Sequence, residues 1–247
     1  MKEGIDIRTA VRDRYGAIAE GKGCGCGTGG EAGATCCASE LGYSETEAAS
    51  IPEGANLGLG CGAPVALAAP QRGETVLDLG SGAGVDVFLA AREVGPEGRV
   101  IGVDMTPAMI DRARLNAARE GCANVEFRLG EIEHLPLPDA SVDVIVSNCV
   151  VNLSPEKPQV FREAFRVLRP GGRMVLSDLV LERPLPAETR DSIEATVGCI
   201  GGASLRGEYL AMIREAGFQE VEVVREGRYG TDPVTSVQVR AVKPPTP

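Results

Sequence analysis

Apolar residues follow two rhythms along this chain. From Glu74 onward, short apolar runs bounded by glycine or proline alternate with longer stretches whose apolar positions recur every three or four residues. Runs of the first kind read as strands and stretches of the second as helices. Residues 75–79, TVLDL, predict a strand, and residues 85–94 predict a helix that stops at Gly95-Pro96, a pair that closes helices. A second strand follows at residues 99–103. Thr106 and Pro107 then offer an N-cap and a preset first turn, with Ile110, Ala113 and Ala117 on one face before Gly121 ends the helix. The alternation continues with strands at residues 124–129 and 142–146, a helix over about residues 155–168, the break Arg169-Pro170-Gly171-Gly172, and a strand at residues 173–177.

After Pro184 the rhythm loosens. Helices are predicted near residues 185–198 and 206–216, then strand-like runs at residues 220–224 and 236–242 that can pair antiparallel at the edge of the same sheet. Regular strand–helix alternation is the grammar of an α/β fold, a mostly parallel sheet with helices on both faces. Three zones result. Residues 1–72 are rich in glycine and thiols, residues 73–184 hold the strand–helix core, and residues 185–247 complete the sheet.

Composition narrows the chemistry. The 247 residues carry 25 Lys plus Arg against 35 Asp plus Glu, a net charge of −10. Clustered Lys and Arg are what grip phosphate backbones, so no nucleic-acid partner is expected. The single histidine, His134, is read as a surface residue, and metal sites that need several imidazoles are excluded. Residues 1–14 lack an apolar signal core, and no run of 18 apolar residues follows. A cytoplasmic protein with no membrane partner is therefore expected, and it is read as a monomer. In a reducing compartment the eight cysteines are thiols, available for packing, redox chemistry or a soft ion.

The first strand runs into Asp78-Leu79-Gly80-Ser81-Gly82-Ala83-Gly84. Glycines there let the backbone turn sharply and approach a ligand at a helix N-terminus. Asp104 closes the second strand, where an acid can accept both hydroxyls of a ribose. Asp78 would be awkward beside a pyrophosphate but is welcome beside a cation. In these residues, and in Leu168-Arg-Pro170-Gly171-Gly172, the chain resembles the class I S-adenosylmethionine-dependent methyltransferases over about residues 73–180. The resemblance implies a Rossmann-like fold with a mostly parallel seven-stranded sheet, and S-adenosylmethionine as cofactor. It also implies that Gly80, Ser81 and Gly82 line the methionine part, Asp104 the ribose, Met105 an adenine face, and Glu131 with Ile132 the adenine edge. Asp78 and Asn148 complete the expected cofactor set.

Three cysteines sit where thiols are sterically open or face the cleft. Cys61 and Cys199 are flanked by glycines, and Cys149 follows the fourth strand at the carboxyl end of the sheet, where ligands bind. Their wide spacing implies no local zinc knuckle. Three thiolates can hold a soft trivalent centre in a pyramid with one open face. That is the chemistry expected for arsenite, whose lone pair could attack a sulfonium methyl in line and needs no general base. The strings Asn56-x-Gly-x-Gly-Cys61-Gly-x-Pro, Ser147-Asn148-Cys149-Val-Val-Asn152-Leu and Gly198-Cys199-Ile-Gly-Gly-Ala are similar to those of the arsenite S-adenosylmethionine methyltransferases, as are the Tyr15-Gly16 segment and the Cys36-Cys37 pair. The resemblance implies that Cys61, Cys149 and Cys199 bind trivalent arsenic, that mono- and dimethylated products form, and that a thiol such as glutathione or thioredoxin serves as reductant.

Cys24, Cys26, Cys36 and Cys37 could capture arsenite and pass it on, form a disulfide that supplies electrons, or be surface thiols of a mobile glycine-rich loop. Cys122 is read as a packing residue. Two rival readings stand beside arsenic methylation. One is methyl transfer to an organic small molecule, with structural cysteines. The other is a non-catalytic thiol protein that binds a soft metal.

Overall fold

The computed structural model of this chain describes residues 6–22, 42–190, 192–230 and 232–246. Five strands pair in parallel: β1 (Thr75–Leu79), β2 (Arg99–Asp104), β3 (Val125–Leu129), β4 (Val142–Asn148) and β5 (Leu168–Leu181). Two more, β6 (Gln219–Arg228) and β7 (Val234–Val242), pair antiparallel, giving the order β3-β2-β1-β4-β5-β7-β6. The edge expected from the last two runs is therefore present. β1 and β4 read as near-continuous apolar runs because both faces are covered: Val76, Leu77, Val144 and Ile145 are fully buried.

Helices cover the two faces in separate groups. Val87, Phe88 and Val94 of α4 (Val85–Val94) join Ile110 and Ala113 of α5 (Pro107–Glu120) and Val65 of α3 (Pro64–Ala68) against one face. Val160, Phe161, Ala164 and Val167 of α6 (Lys157–Val167) recur along one side of their helix. They meet Tyr209 and Ile213 of α9 (Arg206–Glu215) on the other face, where the Phe161 and Tyr209 rings pack edge to face at 5.6 Å. The connections from β1 and β4 leave the sheet toward opposite faces, which opens a cleft at their carboxyl ends.

The remaining helices close that cleft. Helix α1 (Ile7–Ala19) packs on α5 and on α8 (Ile193–Val197), and α2 (Glu45–Ser50) starts in a reciprocal cap between Ser44 and Glu47. Tyr43 is buried and donates to Asp86 at 3.0 Å.

Three local expectations are corrected. The helix expected at residues 185–198 is two short ones, α7 (Ala187–Arg190) and α8. Thr106 occupies the N-cap of α5 without a side-chain cap bond; its own N–H is held instead by Asp104 Oδ1 at 2.8 Å. The Pro170-Gly171-Gly172 break does not end pairing, since Gly171 N–H donates to the Lys243 carbonyl and Lys243 N–H to the Gly172 carbonyl, both at 2.9 Å. β5 therefore begins at Leu168 and runs on to Leu181. Cys24, Cys26, Cys36 and Cys37 lie outside the described residues.

Candidate functional site

One cavity at the carboxyl ends of β1, β2 and β4 gathers most of the residues expected from sequence: Asp78, Gly80, Ser81, Gly82, Asp104, Met105, Ile132, Asn148, Cys149 and Cys199 all line it. The turn from β1 to α4 forms its floor. Gly80 has φ +69°, and a Cβ there would lie 2.4 Å from the Val150 side chain, so only glycine fits both backbone and neighbour. Gly82 N–H donates to Asp104 Oδ2 at 2.9 Å, which ties the glycine turn to the end of β2.

The electrostatics of the floor favour a cation. Asp78 is 3 % exposed, and burial, followed by the charges of Asp86 and Asp104, pushes its carboxyl well above the usual range. Burial pushes Asp86 up to about 6 and also raises Asp104. Negative charge crowded into a dry site is relieved by a positive ligand.

Two expected cofactor residues are placed differently from the rest. Glu131 is not part of the wall; it pairs with Arg8 at 3.6 Å. Its neighbour Glu133 lines the cavity instead, buried, accepting from Arg8 at 3.2 Å and from Ser154 Oγ at 2.6 Å. Asn148 borders the cavity, but protein partners occupy its amide. Oδ1 accepts Cys61 N–H at 2.9 Å, while Nδ2 donates to the Gly62 carbonyl at 2.6 Å and approaches Tyr43 and Asp86 at 3.1 and 3.2 Å. Asn148 thus fixes the loop that carries Cys61.

The three thiols come from distant segments and meet in one cluster with Val11, Leu153 and Val197. All three are free cysteines. Cys149 lies in hydrogen-bonding reach of the thiols of Cys199 and Cys61, and those two neighbours, then burial, raise its own thiol well above the usual value. Burial also raises Cys61, which does not itself line the cavity although its neighbour Gly60 does. The Cys199 Sγ–H donates to the Cys149 carbonyl at 2.9 Å, and Cys149 N–H to the Ser177 carbonyl at 2.7 Å. The cluster is thus a set of three free thiols gathered around Cys149. Among the described residues no three His, Cys, Asp or Glu side chains already stand in the arrangement of a metal-ion site. Cys122 is half-buried at the edge of the cluster that holds α4 and α5, and His134 is exposed.

Sequence reasoning gave no role to several residues of the wall. Tyr15 of α1 donates to the Val197 carbonyl at 3.3 Å beside Cys199, and Arg8, Arg14 and Tyr229 also border the cavity. Their only sequence signal was the Tyr15-Gly16 string; a helix that packs across a cleft carries no mark of what it covers.

A doubly wound sheet with an acid-flanked glycine turn after β1 and an acid ending β2 defines a methyltransferase domain, and residues 70–217 match the model of that family. The chain belongs to it, in the group that holds the arsenic(III) S-adenosylmethionine methyltransferases. It is 53 % identical over 231 residues to the arsenite methyltransferase of Halobacterium salinarum, covering 88 % of this chain and 59 % of that protein. It is 44 % identical over 176 residues to the arsenite methyltransferase of Aquipseudomonas alcaligenes, covering 68 % and 50 %. The crystal structure of the arsenic(III) S-adenosylmethionine methyltransferase of Chlamydomonas reinhardtii superposes with a TM-score of 0.68 at 32 % identity, over 85 % of this chain and 74 % of that one. The chain spans between half and three-fifths of the two curated relatives.

The cavity fits the cofactor this family implies. Ser81 Oγ lines it, buried, with no hydrogen-bond partner among the described residues. A Cβ at Gly82 would meet nothing nearer than Met109 Sδ at 4.0 Å, leaving that backbone open to a ligand. The crowded carboxylates suit a sulfonium and an ammonium.

Proposed function

We propose that this protein transfers the methyl group of S-adenosylmethionine to trivalent arsenic held by Cys61, Cys149 and Cys199, giving methylated arsenicals. The observation that carries the reading is the convergence of three cysteines from separate segments beside the glycine-turn cavity. When bound, S-adenosylmethionine supplies an electrophilic methyl group on a sulfonium. Gly80, Ser81, Gly82, Asp78 and Asp104 would hold it, with Met105 and Ile132 beside its adenine.

The thiols suit the substrate in their neutral form. Each As–S bond made from arsenous acid releases one hydroxyl, which leaves as water with the thiol proton, so no external base is needed. Cys199 gives up its hydrogen bond to the Cys149 carbonyl in the process. The arsenic lone pair then points away from the three sulfurs, toward the cavity. Val11, Leu153 and Tyr15 line the cavity there, and fixing the nucleophile in this position supplies most of the rate.

Methylation converts arsenic(III) to arsenic(V), so a further round requires two electrons. Glutathione or thioredoxin would supply them by forming a disulfide. The protein is read as a cytoplasmic monomer. Among the described residues no helix is long and apolar enough to cross a membrane.

The test is methyl transfer from labelled S-adenosylmethionine to arsenite with glutathione present. Label is expected in methylated arsenic from the native chain, and its loss from Cys149→Ser and Cys199→Ser, each still binding S-adenosylhomocysteine. Undiminished methylarsenic from both variants would return the cysteines to a packing role.

A further inference from the structure

Behind the thiols lies a buried polar knot that the methyl-transfer step does not touch. Asp178 of β5 is 1 % exposed. Its Oδ1 accepts Asn152 Nδ2–H at 2.8 Å and Leu179 N–H at 2.9 Å, and its Oδ2 accepts the Tyr209 hydroxyl at 3.1 Å. Asn152 Nδ2 also donates to the Leu179 carbonyl, at 2.6 Å. Two acceptors on one nitrogen fix the orientation of this amide. Its Oδ1 is left buried with no partner among the described residues. An unpaired buried oxygen is costly, so the contacts of Nδ2 and the surrounding packing hold Asn152 where it is.

The position of Asn152 joins all the parts of the thiol cluster that carry strain. It lies in the 3-10 turn Val151–Leu153, just after Cys149, whose φ of +59° is in the left-handed region that side chains avoid. Cys149 N–H is held by the Ser177 carbonyl, one residue before Asp178. β5 therefore grips this segment twice, once at Cys149 itself and once through Asn152. The loop after Cys199 rests on the same residue, since a Cβ at Gly202 would lie 2.0 Å from the Asn152 carbonyl oxygen. Cys199, at φ +68°, is strained in the same way.

We propose that Asn152 and Asp178 are positioning residues for the thiol site, bracing the turn after Cys149 and the loop after Cys199 so that the two thiols stay in contact. The brace works by accepting and donating hydrogen bonds rather than by charge. An asparagine at 178 could still accept from Asn152 and Leu179 and donate to the Tyr209 oxygen. The functional consequence rests on the reading that these thiols take up trivalent arsenic.

The test uses the full chain and two readouts, arsenite affinity by titration calorimetry and the rate at which iodoacetamide alkylates Cys149, followed by mass spectrometry. Asn152→Ala and Asp178→Ala should each weaken arsenite binding about tenfold and change the alkylation rate at least about threefold. Asp178→Asn should stay within about twofold of native on both readouts. Tyr209→Phe removes a hydrogen bond on the α9 side of Asp178. It should lower the melting temperature while leaving both readouts within about twofold.

Native-like affinity and alkylation in Asn152→Ala would overturn the inference. So would losses in Tyr209→Phe as large as those in Asp178→Ala, which would make the knot a general stability element. A collapse of Asp178→Asn to the level of Asp178→Ala would also overturn it, because charge would then be the agent. If Asp178→Ala does not fold, Asn152→Ala carries the comparison. If the native chain binds no arsenite, the arsenic reading fails, and alkylation alone decides on the brace.

Discussion

Cys149 and Cys199 hold backbone conformations, φ +59° and +68°, that are rare for any residue with a side chain. Left-handed geometry costs such a residue about 1–2 kcal/mol, and positions that keep it in spite of that cost gather at functional sites. At Cys149 the usual preference for alanine over glycine should reverse. Cys149→Gly is expected to be more stable than Cys149→Ala by about 1 kcal/mol in urea melts; an alanine variant of equal or greater stability would contradict the strain. The sequence pointed to these cysteines by their glycine neighbours and by their place after a strand. It could not show the strain, at positions tied by hydrogen bonds to Ser177 and to each other across long separations. Asp178 was invisible for a related reason: within the apolar run of β5 nothing distinguishes a buried acid with three donors from a solvated one.

Secondary structure was legible where periodicity had room to repeat. The bounds of β1 and α4 agree with the reading from sequence, because a short apolar run and a glycine stop leave little choice. Short pieces were not legible. α2 and α3, of six and five residues, are too brief for a helical repeat to register, and the segment after Pro184 is two helices for the same reason. Helix α1 is the one whose role the structure changes most. Arg8 joins it to the far wall through Glu133 at 3.2 Å, Glu131 at 3.6 Å and Glu156 at 3.7 Å, with the Glu133 side chain only 4 % exposed. Arg8→Ala leaves that buried carboxylate without its cation, at a cost of about 1–3 kcal/mol. Hydrogen exchange should then quicken across residues 7–19 while β1 and β4 stay protected; unchanged exchange in α1 would mean that its apolar contacts alone hold it.

For the molecule as a whole, strand–helix alternation and the acid-flanked glycine turn were enough to foresee a parallel sheet with an acid-lined cavity at its carboxyl edge. Chain order could not reveal how the site closes, since α1, the Cys61 loop and Tyr229, just after β6, meet there from opposite ends of the sequence. The proposed function stands on Cys61, Cys149 and Cys199 binding the substrate together. The most direct measurement is arsenic-edge X-ray absorption on a chain in which Cys24, Cys26, Cys36, Cys37 and Cys122 are replaced by serine, loaded with one equivalent of arsenite. Three sulfur neighbours per arsenic and no bound oxygen are expected. Two or fewer sulfurs, or arsenic left free in solution, would contradict that reading.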